Sequence, residues 1–168
     1  MRLSDKRRSA AAALRRKSGR LTLASEDETI ALGERLGRKL QAGTVVLLRG
    51  ELGAGKTTLT RGLARGAGYR GRVSSPTFAL AHVYRCKRLT LHHLDLYRVA
   101  KGEDGELGLD ELLADPRAAV VVEWPDAVGG AWPKDRLEVT LSHVSGGRRI
   151  TLKATGPVAR KVLESGCA

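Results

Sequence analysis

With 168 residues, 42% of them hydrophobic, the chain is long enough for about one domain with a single substantial core. No apolar run approaches the roughly 18 residues that a membrane-spanning helix requires, and no apolar segment near the start reads as a secretory signal. The formal net charge is +12, and the two cysteines, Cys86 and Cys167, form no CxxC pair, which reads as a reduced, cytoplasmic protein without a membrane partner.

The charge is concentrated at the start. Residues 1–20 carry eight Lys or Arg against one acid, Asp5, a local +7 that leaves +5 over the remaining 148 residues. This predicts a basic, disordered extension over 1–20, of a kind that can touch tRNA, followed by a single domain over 21–168. Ser25 with Glu28 three residues on predicts a capping box. Ile30, Leu32, Leu36 and Leu40 then continue a helical stripe to a stop at Gly43. Thr44 to Leu48 is a buried strand, Gly50 to Gly55 a glycine-rich turn, and Lys56 to Ala67 a helix ended by Gly66 and Gly68. Ser74 to Pro76 is a turn. Phe78 to Arg85 and Arg88 to Asp95 predict a hairpin, so the sheet is mixed. Lys101 to Gly105 is a polar loop, Leu107 to Ala114 a short helix, Ala118 to Val122 a buried strand and Val128 to Pro133 a loop. Arg136 to His143 and Arg148 to Lys153 form a second hairpin. Pro157 opens a last helix to about Glu164.

Gly50-Glu51-Leu52-Gly53-Ala54-Gly55-Lys56-Thr57 matches GxxxxGKT, with a strand before it and a helix after it. Glycines allow a tight turn whose successive N–H groups converge on phosphate oxygens, and the helix N-terminus adds partial positive charge. Gly53, Ala54 and Gly55 supply the cradle. Lys56 reaches the β- and γ-phosphates, Thr57 offers its hydroxyl to Mg²⁺, and Thr58 lies on the α-phosphate side. At average residue usage, chance alone produces this pattern in well under about 1% of chains of this length. The ligand is therefore ATP with Mg²⁺.

A P-loop also needs an acid at the end of a neighbouring strand. Glu123 directly follows one apolar strand and Asp95 ends another. Either can hold Mg²⁺, and an acid near the γ-phosphate can instead orient the attacking water. Ser74-Ser75-Pro76-Thr77 follows Thr57 by about twenty residues, where a threonine such as Thr77 can sense the γ-phosphate. His92 and His93 read as strand-face residues, with no cluster around them that suits zinc. Trp124, beside Glu123, suits either core packing or covering the site.

Taken together and in order, GELGAGKTT, SSPTF, HLDLYR, ELGLDELL and VVVEWP resemble the bacterial tRNA threonylcarbamoyladenosine biosynthesis ATPases (the TsaE or YjeE family), from about Ser25 to the C-terminal hairpin. The resemblance implies a three-layer α/β P-loop fold with a mostly parallel sheet plus antiparallel hairpin strands. It implies slow ATP hydrolysis that resets the TsaB and TsaD subunits, which modify adenosine 37 of tRNAs reading ANN codons. By position it makes Lys56 and Thr57 the phosphate and Mg²⁺ residues, Asp95 and Glu123 the acids near the metal, and Thr77 part of a switch. It also places Glu26 and its neighbours up to Thr29 near the base. The basic extension lies outside the family pattern.

Three other classes are weighed against this reading. A small-molecule kinase needs an arginine-rich lid, whereas Arg98 and Arg136 stand alone and no lid-length insertion occurs. A regulatory module without turnover fits poorly with acids beside the phosphates. A GTPase would carry an NKxD-type segment, which the chain lacks.

Overall fold

A strand that is apolar at every position has to be covered on both faces. β2 (Val45–Arg49) and β5 (Ala118–Glu123) have this character up to their last residue and pair in parallel in the interior of a seven-stranded sheet. The structure, a computed structural model, describes residues 18–99, 108–129 and 132–165. The remaining strands are β1 (Ser18–Leu23), β3 (Ala81–Arg85), β4 (Thr90–Asp95), β6 (Leu137–Val144) and β7 (Gly147–Ala154). The sheet order is β1-β7-β6-β2-β5-β4-β3. Its centre, β6-β2-β5-β4, is parallel, and the antiparallel strands β3, β7 and β1 complete the two sides.

The helices are α1 (Glu26–Gly37), α2 (Lys56–Ala67), α3 (Leu109–Ala114) and α4 (Pro157–Ser165), with a 3₁₀ turn at Pro125–Ala127. Side chains alternate across a strand, and the alternation divides the core. Val46, Leu48, Leu91, Ala119 and Val121 face α1, α2 and α4 in the larger cluster. Val45, Leu47, Leu94, Val120 and Val122 face α3, Trp124 and Trp132 in the smaller one. The result is three layers, as the family resemblance implies.

α1 begins where the capping box places it. Ser25 Oγ accepts the Glu28 N–H at 3.1 Å, while the Glu28 carboxylate reaches back one residue further than expected, to the Ala24 N–H at 2.7 Å. Its stripe residues Leu32 and Leu36 are fully buried, each worth about 1.5–3 kcal/mol of transfer free energy. The helix stops at Gly37 rather than at Gly43. Lys39 and Leu40 turn back onto the Leu36 and Gly37 carbonyls, and Gly43 instead lies in the turn that leads into β2.

Gly66 does not end α2; Gly68 does, as a left-handed C-cap at φ 101°. Gly62 and Gly66 lie within the helix and face the backbone of α1, Gly62 against Gly33 and Gly66 against Glu34 and Arg38, while Gly37 of α1 faces Leu63. A Cβ on Gly33 would stand 2.5 Å from the Leu59 carbonyl oxygen and 2.8 Å from the Gly62 Cα. The two helices therefore touch backbone to backbone, and this crossing fixes where the start of α2 sits.

Further boundaries differ from the sequence reading, two of them by three residues. β1 starts at Ser18, so its first three residues fall inside the stretch assigned to the basic extension. Gly19, Leu21 and Leu23 alternate inward, and the strand pairs with β7 over its whole length. Strand β3 starts at Ala81, not Phe78. Pro76 accepts from the Ala79 and Leu80 N–H groups to form a turn, and Leu80 takes a left-handed φ of 63°. The predicted polar loop at Lys101 to Gly105 lies outside the described residues, as do 1–17 of the extension. Among the described residues no helix is long and apolar enough to cross a membrane.

Candidate functional site

In an open α/β sheet, ligands bind beyond the carboxyl ends of the parallel strands. Here β2 runs into the Gly50–Gly55 loop, β5 ends at Glu123 and β4 ends at Asp95. Asp95 and Glu123 are register partners, and alternation from Leu91 and Val121 directs both toward the α1–α2 side of the sheet. The three chain ends thus bring the predicted phosphate loop and both predicted acids to one place.

The loop has the conformation its glycines allow. Gly53 and Gly55 take φ of 76° and 104°, in the left-handed region. Ala54 between them is buried, and Leu52 at the tip is exposed. Lys56 opens α2 and folds back over the loop. Its Nζ donates to the Gly50 and Glu51 carbonyls at 2.7 and 2.8 Å and lies 3.9 Å from the centroid of the Trp124 ring, a cation–π distance. Burial pushes the Lys56 ammonium below its usual pKa, and the nearby Glu123 and Asp95 carboxylates pull it back up.

Thr57 Oγ1 donates to the Glu123 carboxylate at 2.9 and 3.2 Å from its two oxygens. Asp95 is occupied differently. Its Oδ2 accepts from the Ser75 and Thr77 hydroxyls at 2.8 and 2.6 Å, and its Oδ1 accepts the Tyr97 N–H at 3.0 Å. Both acids are only 3% exposed, so each needs the polar partners it has. Thr58 is half-buried beside Thr57. The expected Thr77 is therefore tied to one acid and the expected Thr57 to the other.

Glu26 sits in the first turn of α1 and pairs with Arg61 of α2 at 2.9 Å. Between that turn and the loop lies Arg148, at the start of β7. Its Nε would be 3.1 Å from a Cβ on Gly55, its Nη1 is 3.5 Å from Thr29 Oγ1, and its buried Nε has no partner. The Glu26 to Thr29 turn is thus connected to the phosphate loop through Arg148. Sequence reading passed over Arg148 because it starts a hairpin strand without a motif.

His93 is the second residue that motif reading understated. It lies two positions before Asp95 on the same strand face, fully buried, with Nε2 2.8 Å from Glu123 Oε1. No group of three or more His, Cys, Asp or Glu side chains that could hold a metal occurs among the described residues. Strand alternation places His93 on the face of Asp95, but its contact with Glu123 depends on the pairing of β4 with β5.

Trp124 takes both of the roles considered for it. It adopts φ 59°, packs on the smaller core and meets the Tyr97 ring at 4.9 Å with the planes tilted by 49°, while its ring face meets Lys56. A cavity of about 380 Å³ adjoins it, lined by Arg49, Gly50, Glu51, Tyr97, Asp126 and Ala127. Its arginine, Arg49, is held by Asp126 in a two-pronged pair at 2.9–3.1 Å.

Mg²⁺ prefers hard oxygen ligands: one or two carboxylates with phosphate oxygens and water. A threonine hydroxyl in contact with one buried carboxylate, beside a second on the adjoining strand, is a donor set of that chemistry. The cation would be held by Thr57 with Glu123 or Asp95.

The chain is similar to known proteins over most of its length. Residues 23–150 match the family model described as threonylcarbamoyl adenosine biosynthesis protein TsaE. A tRNA threonylcarbamoyladenosine biosynthesis protein TsaE from Streptomyces coelicolor is 45% identical over 119 residues, 68% of this chain and 79% of that protein. The protein of the same name from Treponema pallidum is 39% identical over 126 residues, 74% of this chain and 92% of that one. Among solved structures, Bacillus subtilis YdiB superposes with a TM-score of 0.76 at 30% identity, over 89% of this chain and 93% of that one.

Proposed function

Given that the chain belongs to the TsaE family of threonylcarbamoyl adenosine biosynthesis proteins, we propose that it is a cytoplasmic, Mg²⁺-dependent ATPase that serves threonylcarbamoyladenosine formation on tRNA. The target is position 37 of tRNAs that read ANN codons, and the partners are the TsaB and TsaD subunits. The observation that carries the ATPase reading is the Thr57 hydroxyl on the Glu123 carboxylate, directly behind the Gly50–Gly55 loop.

The loop's N–H groups and the start of α2 bind the phosphates. Lys56 holds its ammonium over the loop and compensates charge on the β- and γ-phosphates as the terminal bond breaks. In the structure Gly50 and Glu51 carbonyls hold that ammonium, so binding exchanges backbone acceptors for phosphate oxygens. Mg²⁺ supplies charge neutralisation and a template for the phosphate oxygens. Glu123 and Asp95 would face the cation and the attacking water, and Thr77 brings the 74–77 segment to Asp95. Water is the acceptor in this reading, since the sequence carries no arginine-rich insertion of lid length.

Hydrolysis with water as acceptor yields no product of its own use. It becomes useful when a partner binds the ATP and ADP states with different affinity. The test is multiple-turnover modification of tRNA by the partner subunits. Turnover continues with this protein and ATP, and stops after about one round with Lys56→Ala, by the logic of a coupled conformational cycle. Partners that cycle equally well without the protein refute the pathway role. Full ATP hydrolysis by folded Lys56→Ala refutes the ATPase site itself.

A further inference from the structure

The 74–77 segment is attached to both acids, but by different routes. Ser75 and Thr77 reach Asp95 directly. The route to Glu123 runs through the sheet. His93 Nε2 lies 2.8 Å from Glu123 Oε1, His93 Nδ1 lies 3.2 Å from the Tyr84 hydroxyl, and that hydroxyl lies 3.0 Å from the Ser74 carbonyl. Thr57 closes the far end through its own bond to Glu123. The chain of contacts therefore runs from the first turn of α2 through strands β5, β4 and β3 to the segment that follows α2.

We propose that His93 and Tyr84 are positioning residues of the hydrolytic site, which couple the orientation of Glu123 to the placement of the 74–77 segment. This rests on the ATPase reading above.

The donor and acceptor count gives the coupling its physical content. A carboxylate only accepts, so Nε2 of His93 carries the proton directed at Glu123, and in the neutral ring Nδ1 is left as an acceptor. The Tyr84 hydroxyl has a single hydrogen and three polar atoms within reach: Ser74 O at 3.0 Å, His93 Nδ1 at 3.2 Å and, at the longest distance, His82 Nδ1 at 3.4 Å. Its hydrogen serves one acceptor at a time, so a gain at Ser74 O is a loss at His93 Nδ1. A change in the Glu123–His93 bond thus redistributes the Tyr84 hydrogen and alters the hold on Ser74. Thr57 is the other partner of Glu123, so a cation that drew on the Thr57 oxygen lone pair would alter the strength and direction of the bond that Thr57 donates to Glu123. His93 is fully buried and Tyr84 is 4% exposed, so water does not substitute for either link.

The test compares the full-length protein with His93→Ala, His93→Gln and Tyr84→Phe. It measures kcat and KM for ATP, together with amide hydrogen exchange at 74–77 with and without Mg²⁺ and a non-hydrolysable ATP analogue. Loss of a group that orients a metal-facing ligand costs about 10–100-fold. For His93→Ala the expected result is therefore a kcat about 10-fold down, with KM changed by less than about 3-fold. The nucleotide-induced change in exchange at 74–77 shrinks in both His93→Ala and Tyr84→Phe. His93→Gln recovers part of kcat, because its amide can still donate to Glu123. If the folded variants keep the wild-type kcat and the wild-type exchange response, the proposal is overturned. It is equally overturned if Tyr84→Phe leaves the response intact while His93→Ala raises exchange throughout β3, β4 and β5, the mark of a packing role alone. A wild-type protein that neither hydrolyses ATP nor responds to it overturns the ATPase reading, and this inference with it; a responsive wild type with unaltered variants overturns only the coupling.

Discussion

Gly33→Ala should destabilise this protein, although helix propensity says the reverse. Within a helix, Ala is favoured over Gly by about 0.5–1 kcal/mol. The crossing of α1 and α2 changes the sign. The new Cβ would stand 2.5 Å from the Leu59 carbonyl oxygen, 2.8 Å from the Gly62 Cα and 2.9 Å from the Leu63 nitrogen, where ordinary contact begins at 3.4 Å. All three are backbone atoms, so no rotamer change relieves them, and the helices have to part by about 1 Å in a close-packed interior. Overpacking costs about 1–3 kcal/mol, and with no side chain able to yield, the upper part of that range applies. After the propensity gain, a net loss of about 1–2 kcal/mol remains. For a domain of this size that lowers Tm by about 2–8 °C. Urea unfolding followed by circular dichroism measures it, with an unchanged m value showing that stability alone has moved. ATP affinity should fall as well, because α2 carries the phosphate loop at its start. Gly43→Ala is the control: its Cβ meets nothing within 4 Å, so only the positive φ costs, about 1 kcal/mol, and ATP affinity stays put. A Gly33→Ala protein that resists more urea than wild type refutes the close-crossing argument.

Glu123→Ala lowers Mg²⁺-dependent hydrolysis on the order of 100-fold, with much less effect on nucleotide affinity, because its work is at the developing charge; Asp95→Ala behaves similarly and also releases Ser75 and Thr77. Mg²⁺ titration of both variants checks this, and an unchanged Mg²⁺ dependence in both would move the metal elsewhere. Burial pushes the Tyr84 phenol up from its ordinary 10.0 to about 12. The fold keeps its proton where the unfolded chain has lost it, so the stability it contributes is whole below pH 10 and disappears as pH rises toward 12. Two pKa units correspond to about 2–3 kcal/mol over that window, and Tyr84→Phe should flatten the alkaline limb of a stability–pH curve; equal slopes count against it. Deleting residues 1–17 removes seven Lys or Arg and one Asp while sparing β1. ATPase activity should survive, and tRNA affinity should fall with a shallower salt dependence; identical binding at every salt concentration leaves the extension without a role in tRNA contact.

The phosphate loop was legible because its chemistry is contiguous. Eight neighbouring residues carry the glycines, the lysine and the threonine, so local patterning suffices, and Lys56 begins its helix where the motif says. The layers were legible for a similar reason: Val45 to Leu48 and Ala118 to Val122 are apolar throughout and can only be buried strands. Glu123 and Asp95 were recognised as strand-end acids. Which hydroxyl each would hold was not legible, since Thr57 meets Glu123 across 66 positions and Thr77 meets Asp95 across 18.

Where the sequence reading missed, long-range geometry was the cause. Gly33, Gly37, Gly62 and Gly66 look like weak points or stops when each helix is read alone. Only the crossing shows that a side chain there would strike the other backbone. Ser18 to Arg20 belong to a basic stretch by composition, yet β7 offers an open edge and draws them into the sheet. His93 reads as one more histidine on a strand until β4 pairs with β5 and sets its ring against Glu123. The sequence by itself determined what is local in the chain: the cradle, the caps and the apolar strands. Tertiary structure decided which polar groups meet, because register and helix crossing bring together residues that no spacing rule relates.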